Sequence, residues 1–417
     1  MAEKKINRRT FIKGAGAAGV AASSLGFPAV SRGAAAVEIA VVYPLSGPSG
    51  ASGTNAVRGW NIAVDEINAA GGIKCLGGAK IKTVLRDTQT TPRVGMAEYE
   101  KVAQNKNIPI LVGSYNSNVT YPSSQVSEQY GLPHLIGMSS QATILEGRNF
   151  KYVFRTILNS RRMGSRMVDF VEAMGKKTGK VAKRAALLSL DENFGKSSAK
   201  SIIDAIQKGS NQKVVADLYN PLKVTNVDVE VAKLKAAKPD VIYLTNFTND
   251  AILVTRALAA QKVDVTAYVT YGAGYVDPKY LSSVGKLSEY IYAITKFDYD
   301  LNRPMEQAFN DKMQKQHGVN VNHHSASLYA MAYVVKDVLE RACTTDRKKV
   351  RDAIAATNLT SGKALMMPGT GIKFGPNGEV DGAADIMAQV LKGKYHTVWP
   401  GGKFKPVWPM PKWSERS

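Results

Sequence analysis

A chain of 417 residues is too long for one ordinary core, so two lobes of roughly 150–200 residues each are expected. Hydrophobic residues make up 44% and charged residues 21%, the balance of a water-soluble globular protein. The net charge of +21 permits nucleic-acid or anionic-membrane partners, but Lys and Arg are dispersed rather than gathered into an arm, which favours a solvated basic surface that attracts small anions.

Asn7-Arg8-Arg9-Thr10-Phe11-Ile12-Lys13 opens the chain ahead of the weakly apolar GAGAAGVAASSLGF. Paired arginines followed by an aromatic and an aliphatic residue resemble a twin-arginine export signal, and the small residues Ala34, Ala35 and Ala36 suit cleavage. Gly14, Gly16 and Gly19 meet a dinucleotide fingerprint, but no strand precedes them, so the match is spurious. No later apolar run is long enough to span a bilayer. Residues 1–36 are therefore read as a signal and the rest as an exported, soluble protein.

The apolar, β-branched run 39–43 predicts a buried strand, 44–50 a small-residue loop, and Ala56, Ile62, Ala63 and Ile67 a helix stopped by Gly71-Gly72. Strands at 81–85, 110–112 and 135–136 alternate with helices starting at Pro92 and Pro122. That rhythm implies a parallel sheet with right-handed crossovers. Residues 153–156 read as a first crossing into a second lobe, where strands at 185–190, 214–218, 239–244 and 267–269 alternate with helices at 197–208, 227–237 and 251–261. Residues 291–296 lead back to the first lobe and its amphipathic helices 305–317 and 326–342. A third crossing near 374–379 precedes a last strand at 386–391. The tail from Trp399 is expected to lie extended, with its tryptophans packed on the body. Two cysteines, Cys75 and Cys343, allow one disulfide in an oxidising compartment, and sequence leaves their pairing open.

PLSGPSGASG followed by a helix ending DEINAAGGI resembles the opening of periplasmic binding proteins of the branched-chain amino-acid type, and the similarity in motif order continues along nearly all of the mature chain. The resemblance implies a type I α/β periplasmic binding fold, with two doubly wound parallel-sheet lobes joined by a three-segment hinge. Residues 37–157 and 295–376 would build the N-terminal lobe, 158–294 and 377–398 the C-terminal lobe, and 399–417 a Pro/Trp-rich tail. Such proteins are the soluble receptors of ABC importers. The implied partners are a small carboxylate-bearing ligand and an inner-membrane permease with its ATPase, for a monomer with no nucleic-acid role and no cofactor. The ligand would be a branched-chain or other hydrophobic amino acid, or a related aliphatic or aromatic acid. A sensor of the same fold, binding an amide or organic acid without transport, is the alternative.

The same resemblance assigns site residues at the carboxyl ends of strands. Ser117 aligns with a hydroxyl that contacts a ligand carboxylate, a role compatible with simple helix capping. Ser139, Ser140 and Gln141 occupy the loop that holds the ligand's carboxylate and amino groups, with Ala142-Thr143 as an alternative register. Phe194 and Phe247 stand where the family often has tyrosines closing over the ligand, and read either as an apolar lid or as core. Ala273 stands where amino-acid-binding relatives carry an acidic residue for the ligand's ammonium; Asp250 and Asp277 are out of register with it. Arg161 or Arg162, just after the first crossing, would favour a carboxylic acid over a zwitterion if it reached the ligand, and otherwise faces solvent.

Catalytic patterns are missing. His134, His317, His323, His324 and His396 show no metal-like spacing, and the sequence contains no G-x-S-x-G elbow or phosphate-binding loop. The expectation is a binding protein that holds its ligand unchanged, without a metal.

Overall fold

The computed structural model of the protein describes residues 35–416. Residues 1–34 of the expected export signal, and residue 417, lie outside them. In chain order, β1 (Val37–Tyr43), α1 (Gly50–Ala69), β2 (Ile81–Asp87), α2 (Pro92–Gln104), β3 (Ile110–Gly113), α3 (Ser117–Gln129), β4 (His134–Ile136) and β5 (Val153–Arg155) come first. After α4 (Ser160–Thr178) follow β6 (Arg184–Leu190), α5 (Asn193–Gln207), β7 (Lys213–Asn220), α6 (Asp228–Ala236), β8 (Val241–Thr245), α7 (Thr248–Ala260), β9 (Ala267–Thr270), α8 (Pro278–Val284) and β10 (Tyr292–Thr295). The remainder holds α9 (Pro304–His317), α10 (His323–Ala342), α11 (Arg347–Ala355), β11 (Asn358–Leu359), β12 (Gly369–Phe374), β13 (Val380–Ala383), β14 (Ile386–Leu391) and β15 (Lys394–Trp399).

The first sheet is parallel throughout, in the order β2-β1-β3-β4-β5. The second repeats that order over its parallel part, β7-β6-β8-β9-β10, and continues into antiparallel β14 and β15. Helices cover both faces, which is why Ile39, Val41 and Tyr43 are as buried as Ala40 and Val42 between them. The α/β class expected from sequence is the one observed. The antiparallel edge is an addition, because the last pass enters the second sheet from the opposite direction to the β/α units.

Helix α10 returns to pack along α1. Their crossing is so close that a Cβ on Gly59 would lie 2.0 Å from the Ser325 carbonyl oxygen, so only glycine fits. The third crossing is more elaborate than the single strand and turn read from sequence: β11, β12 and β13 form a small antiparallel sheet of their own. The Arg155 amide of β5 donates to the Gly378 carbonyl (2.8 Å), tying the first crossing to the third. The tail lies on the second lobe. Trp408 is buried against Phe170 and Tyr292, its Nε1 donating to the Lys180 carbonyl at 3.0 Å.

Cys75, in the turn after α1, and Cys343, at the end of α10, form a disulfide with Cα atoms 5.4 Å apart across 268 residues of sequence. Cross-linking so distant points restricts the unfolded chain, and removal of the bond with Cys75→Ser/Cys343→Ser is expected to lower stability by about 3 kcal/mol. Urea unfolding of the variant checks this; an unchanged midpoint would refute it.

Candidate functional site

The carboxyl ends of both parallel sheets point toward one another, where ligands of doubly wound folds bind. Between them Tyr115, Ser117, Met138, Ser140, Phe194, Phe247, Tyr271, Ala273, Lys296 and His323 line one cavity. It holds about 360 Å³ of atom-free space. Every lining residue follows a strand end or opens a helix. Ser117 starts α3, Phe194 lies in the first turn of α5, Phe247 caps α7 and His323 starts α10. Four helix N-termini with positive dipole ends therefore border the cavity, a favourable setting for an anion.

Of the residues expected from sequence, Ser117, Ser140, Phe194, Phe247 and Ala273 come together here. The two phenylalanine rings stack on each other (centroids 5.5 Å, planes 7° apart), and Tyr271 meets Phe194 edge-on at 5.4 Å. Tyr115 closes the wall, 6.3 Å from Phe247. Gly274 permits this arrangement, since a Cβ there would lie 2.3 Å from the backbone of Phe247 and Thr248. Asn246 joins Tyr275 and Asn220 in buried hydrogen bonds below the loop.

Three expected residues are placed elsewhere, for local reasons. The Ser139 hydroxyl is bonded to Thr120 and donates within reach of the Ser114 and Tyr115 carbonyls (2.9 and 3.0 Å), so it braces the loop from behind. Gln141 turns outward and donates to the Thr143 hydroxyl at 2.7 Å. Arg161 is half exposed and pairs with Glu146 (2.7 Å), so its expected reach to the ligand is corrected: the phase of α4 points it to solvent. Arg162 donates to the Val380 carbonyl at 3.3 Å. Asp277 accepts from Ser52 (2.9 Å) and caps α8, while buried Asp250 has its carboxyl pushed up to about 7 by desolvation; neither lines the cavity.

Sequence reasoning missed Tyr115, Met138, Tyr271, Lys296 and His323. Two of these carry the polar chemistry. Lys296 sits just past β10 and is 6% exposed. Among the described residues no carboxylate oxygen comes within 4.0 Å of its nitrogen. Burial pulls its pKa below the ordinary lysine value, Asp385 opposes that, and Arg155 adds to it. The buried carboxyl of Asp385 has no hydrogen-bond partner among the described residues, and desolvation pushes it up to about 6 against the pull of Lys296, Arg166 and Arg162. Arg155 is wholly buried: its guanidinium donates to the Ser139 and Gln141 carbonyls (3.2 and 2.9 Å) and faces Glu379 at 3.3 Å. The three crossings thus gather Arg155, Glu379 and Asp385 behind the pocket, with Lys296 at its wall. A lone lysine closing the buried strand 292–295 was the available signal.

His323 came within reach because α10 starts three residues earlier than apolar periodicity suggests. The Asn322 side chain accepts from the His324 and Ser325 amides (2.9 and 3.2 Å), and Ser325 Oγ accepts from the Asn322 amide (3.1 Å). The pattern Asn-His-His-Ser was legible as a cap.

A pair of doubly wound lobes with a pocket of aromatic and polar side chains at their facing ends defines a cleft-type solute receptor. The chain belongs to the periplasmic binding protein family, whose description matches residues 36–394. Residues 5–24 match a twin-arginine translocation signal, and the protein is exported to the periplasm. It is 28% identical to Leu/Ile/Val-binding protein homolog 7 of Brucella melitensis biotype 1, over 87% of this chain and 91% of that one. Among solved structures, a leucine binding protein from Thermotoga maritima superposes with a TM-score of 0.76 at 20% identity, covering 87% of this chain and 97% of that one. A solute binding protein of an ABC transporter from R. palustris, in complex with benzoate, reaches 0.76 at 17% identity, covering 87% and 95%. At these identities the two structures speak for the fold.

Proposed function

We propose that the protein is the receptor of an ABC importer for a small carboxylic acid with an apolar or aromatic body and no ammonium group. The observation that carries this reading is the charge of the lining: among the described residues Lys296 is present and no acidic side chain is. A ligand ammonium buried beside Lys296, with Ala273 in place of an acid, would meet repulsion and no anionic partner. A carboxylate instead meets a cation, the Ser117 and Ser140 hydroxyls and four helix N-termini. Phe194, Phe247, Tyr271, Tyr115 and Met138 enclose the remainder. The benzoate complex of the R. palustris protein is a fold relative with such a ligand.

In this reading residues 37–157 and 295–376 move as one lobe, and 158–294 and 377–398 as the other. The ligand touches both, so it stabilises the closed form by its differential affinity, and the closed form is what an inner-membrane permease and its ATPase recognise. The ligand is released unchanged rather than converted.

A thermal-shift screen tests this, using protein without residues 1–36 that has been unfolded and refolded to strip any retained ligand. The panel pairs leucine, valine and phenylalanine with their deaminated acids, and adds benzoates. Acids at about 100 times their dissociation constant are expected to add roughly 2.7 kcal/mol of stability. Stabilisation by the amino acids, with the deaminated acids silent, would overturn the reading.

A further inference from the structure

We propose that His323 selects a second polar group on the ligand, so that the site takes a hydroxy-substituted carboxylate: Lys296 holds the carboxylate and His323 the hydroxyl. This rests on the carboxylate reading above and narrows it.

His323 lines the cavity at 1% exposure, and neither of its ring nitrogens has a hydrogen-bond partner among the described residues. Buried polar atoms are nearly always paired, so an imidazole with both nitrogens open, facing a ligand cavity, has ligand recognition as its natural use. The ring is also held in place rather than free to seek partners. It packs edge-on against His324 (centroids 4.2 Å, planes 74° apart), which is itself fixed by its Nε2 contact with the Tyr115 hydroxyl at 3.2 Å. The His323 amide donates to the Tyr299 hydroxyl at 3.4 Å, and the Asn322 cap sets the start of the helix.

The chemistry of the partner follows from the charge around the ring. Lys296 and His324 are the titratable groups whose charge acts on His323, with the Tyr299 hydroxyl at its amide, and Asp277 acts on His324. Burial and these two neighbours hold the imidazole well below its ordinary pKa, so it is neutral at neutral pH. The start of α10 opposes a positive charge there as well. A neutral imidazole presents one N–H and one bare nitrogen. A hydroxyl serves either one, because it accepts from the first and donates to the second. A second carboxylate only accepts and an ammonium only donates, so each of these meets just one of the two tautomers. The apolar ring wall leaves a ligand hydroxyl few other partners, the unpaired Tyr271 hydroxyl being one.

Isothermal titration with matched pairs tests the assignment: isovalerate against its α-hydroxy derivative, phenylpropanoate against phenyllactate, and benzoate against its three monohydroxy isomers. At least one hydroxy acid is expected to bind the wild-type protein roughly tenfold more tightly than its parent. In His323→Leu that ratio is expected to collapse to about one, and in His323→Gln, which keeps a donor and an acceptor, to recover in part. Circular dichroism melts of both variants establish that they fold, and His323→Gln carries the test should the leucine variant not. If acids bind but no pair shows a preference, or the preference persists in His323→Leu, the assignment to His323 is overturned while the carboxylate reading stands. If no carboxylate binds the wild-type protein, both fall together.

Discussion

Lys296→Met is expected to weaken binding of the best carboxylate ligand at least about a hundredfold, measured by isothermal titration. Losing one partner of a desolvated, hydrogen-bonded charge pair typically costs 2–5 kcal/mol of binding, where about 1.4 kcal/mol is tenfold. Methionine keeps most of the length and the apolar stem of lysine, so the cavity keeps its shape and the loss reports the charge. Lys296→Arg is expected to fall between the two, because the larger planar fork retains charge without the same fit. The pH dependence has a definite sign. Since burial holds the Lys296 pKa below its ordinary value, affinity falls as alkaline pH removes the ammonium, earlier than for an exposed lysine. Asp385→Asn is expected to act oppositely to Lys296→Met, tightening binding, because Asp385 is the anion that competes for the ammonium. Wild-type affinity in Lys296→Met would remove the basis of the carboxylate assignment.

Arg155→Leu is expected to destabilise the protein by about 3 kcal/mol in denaturant unfolding. The side chain is completely buried, and its removal leaves Glu379 with the Asn159 amide but no facing cation and takes a donor from the Ser139 and Gln141 carbonyls. Because the Ser140 loop hangs from those two carbonyls, ligand affinity is expected to drop as well, although Arg155 does not line the pocket. Replacing the pair, as Arg155→Leu/Glu379→Leu, should restore part of the stability without restoring the affinity, because no carboxylate is left without its cation but the loop still lacks the guanidinium contacts. Equal stability of Arg155→Leu and wild type would mean that the buried contacts at this crossing contribute nothing net.

The β/α rhythm, the three crossings and the export signal were readable because each rests on residues within a few positions of one another. The apolar run at 39–43 could only be a buried strand, and Gly71-Gly72 could only stop the helix before it. The apolar side of the cavity was readable for the same reason, since Phe194, Phe247 and Ala273 each lie within four residues of a strand's end. Arg161 shows where such reading stops. Its charge was evident, but whether it faced the ligand or solvent depended on the phase of α4 and on Glu146 standing opposite.

Local motifs therefore carried the resemblance that identified the kind of protein, an exported two-lobed α/β solute-binding protein, and that set Ala273 where amino-acid-binding relatives carry an acidic residue. The charge around the cavity was beyond their reach. Arg155, Lys296 and the stretch holding Glu379 and Asp385 lie far apart in sequence and meet only because three separate passes between the lobes converge, and His323 joins them only through the cap on α10. Side-chain periodicity is governed by neighbours one to four residues away, whereas the charge of a cleft is a sum over groups brought within a few ångströms by packing. The sign of the ligand's charge belongs to that sum.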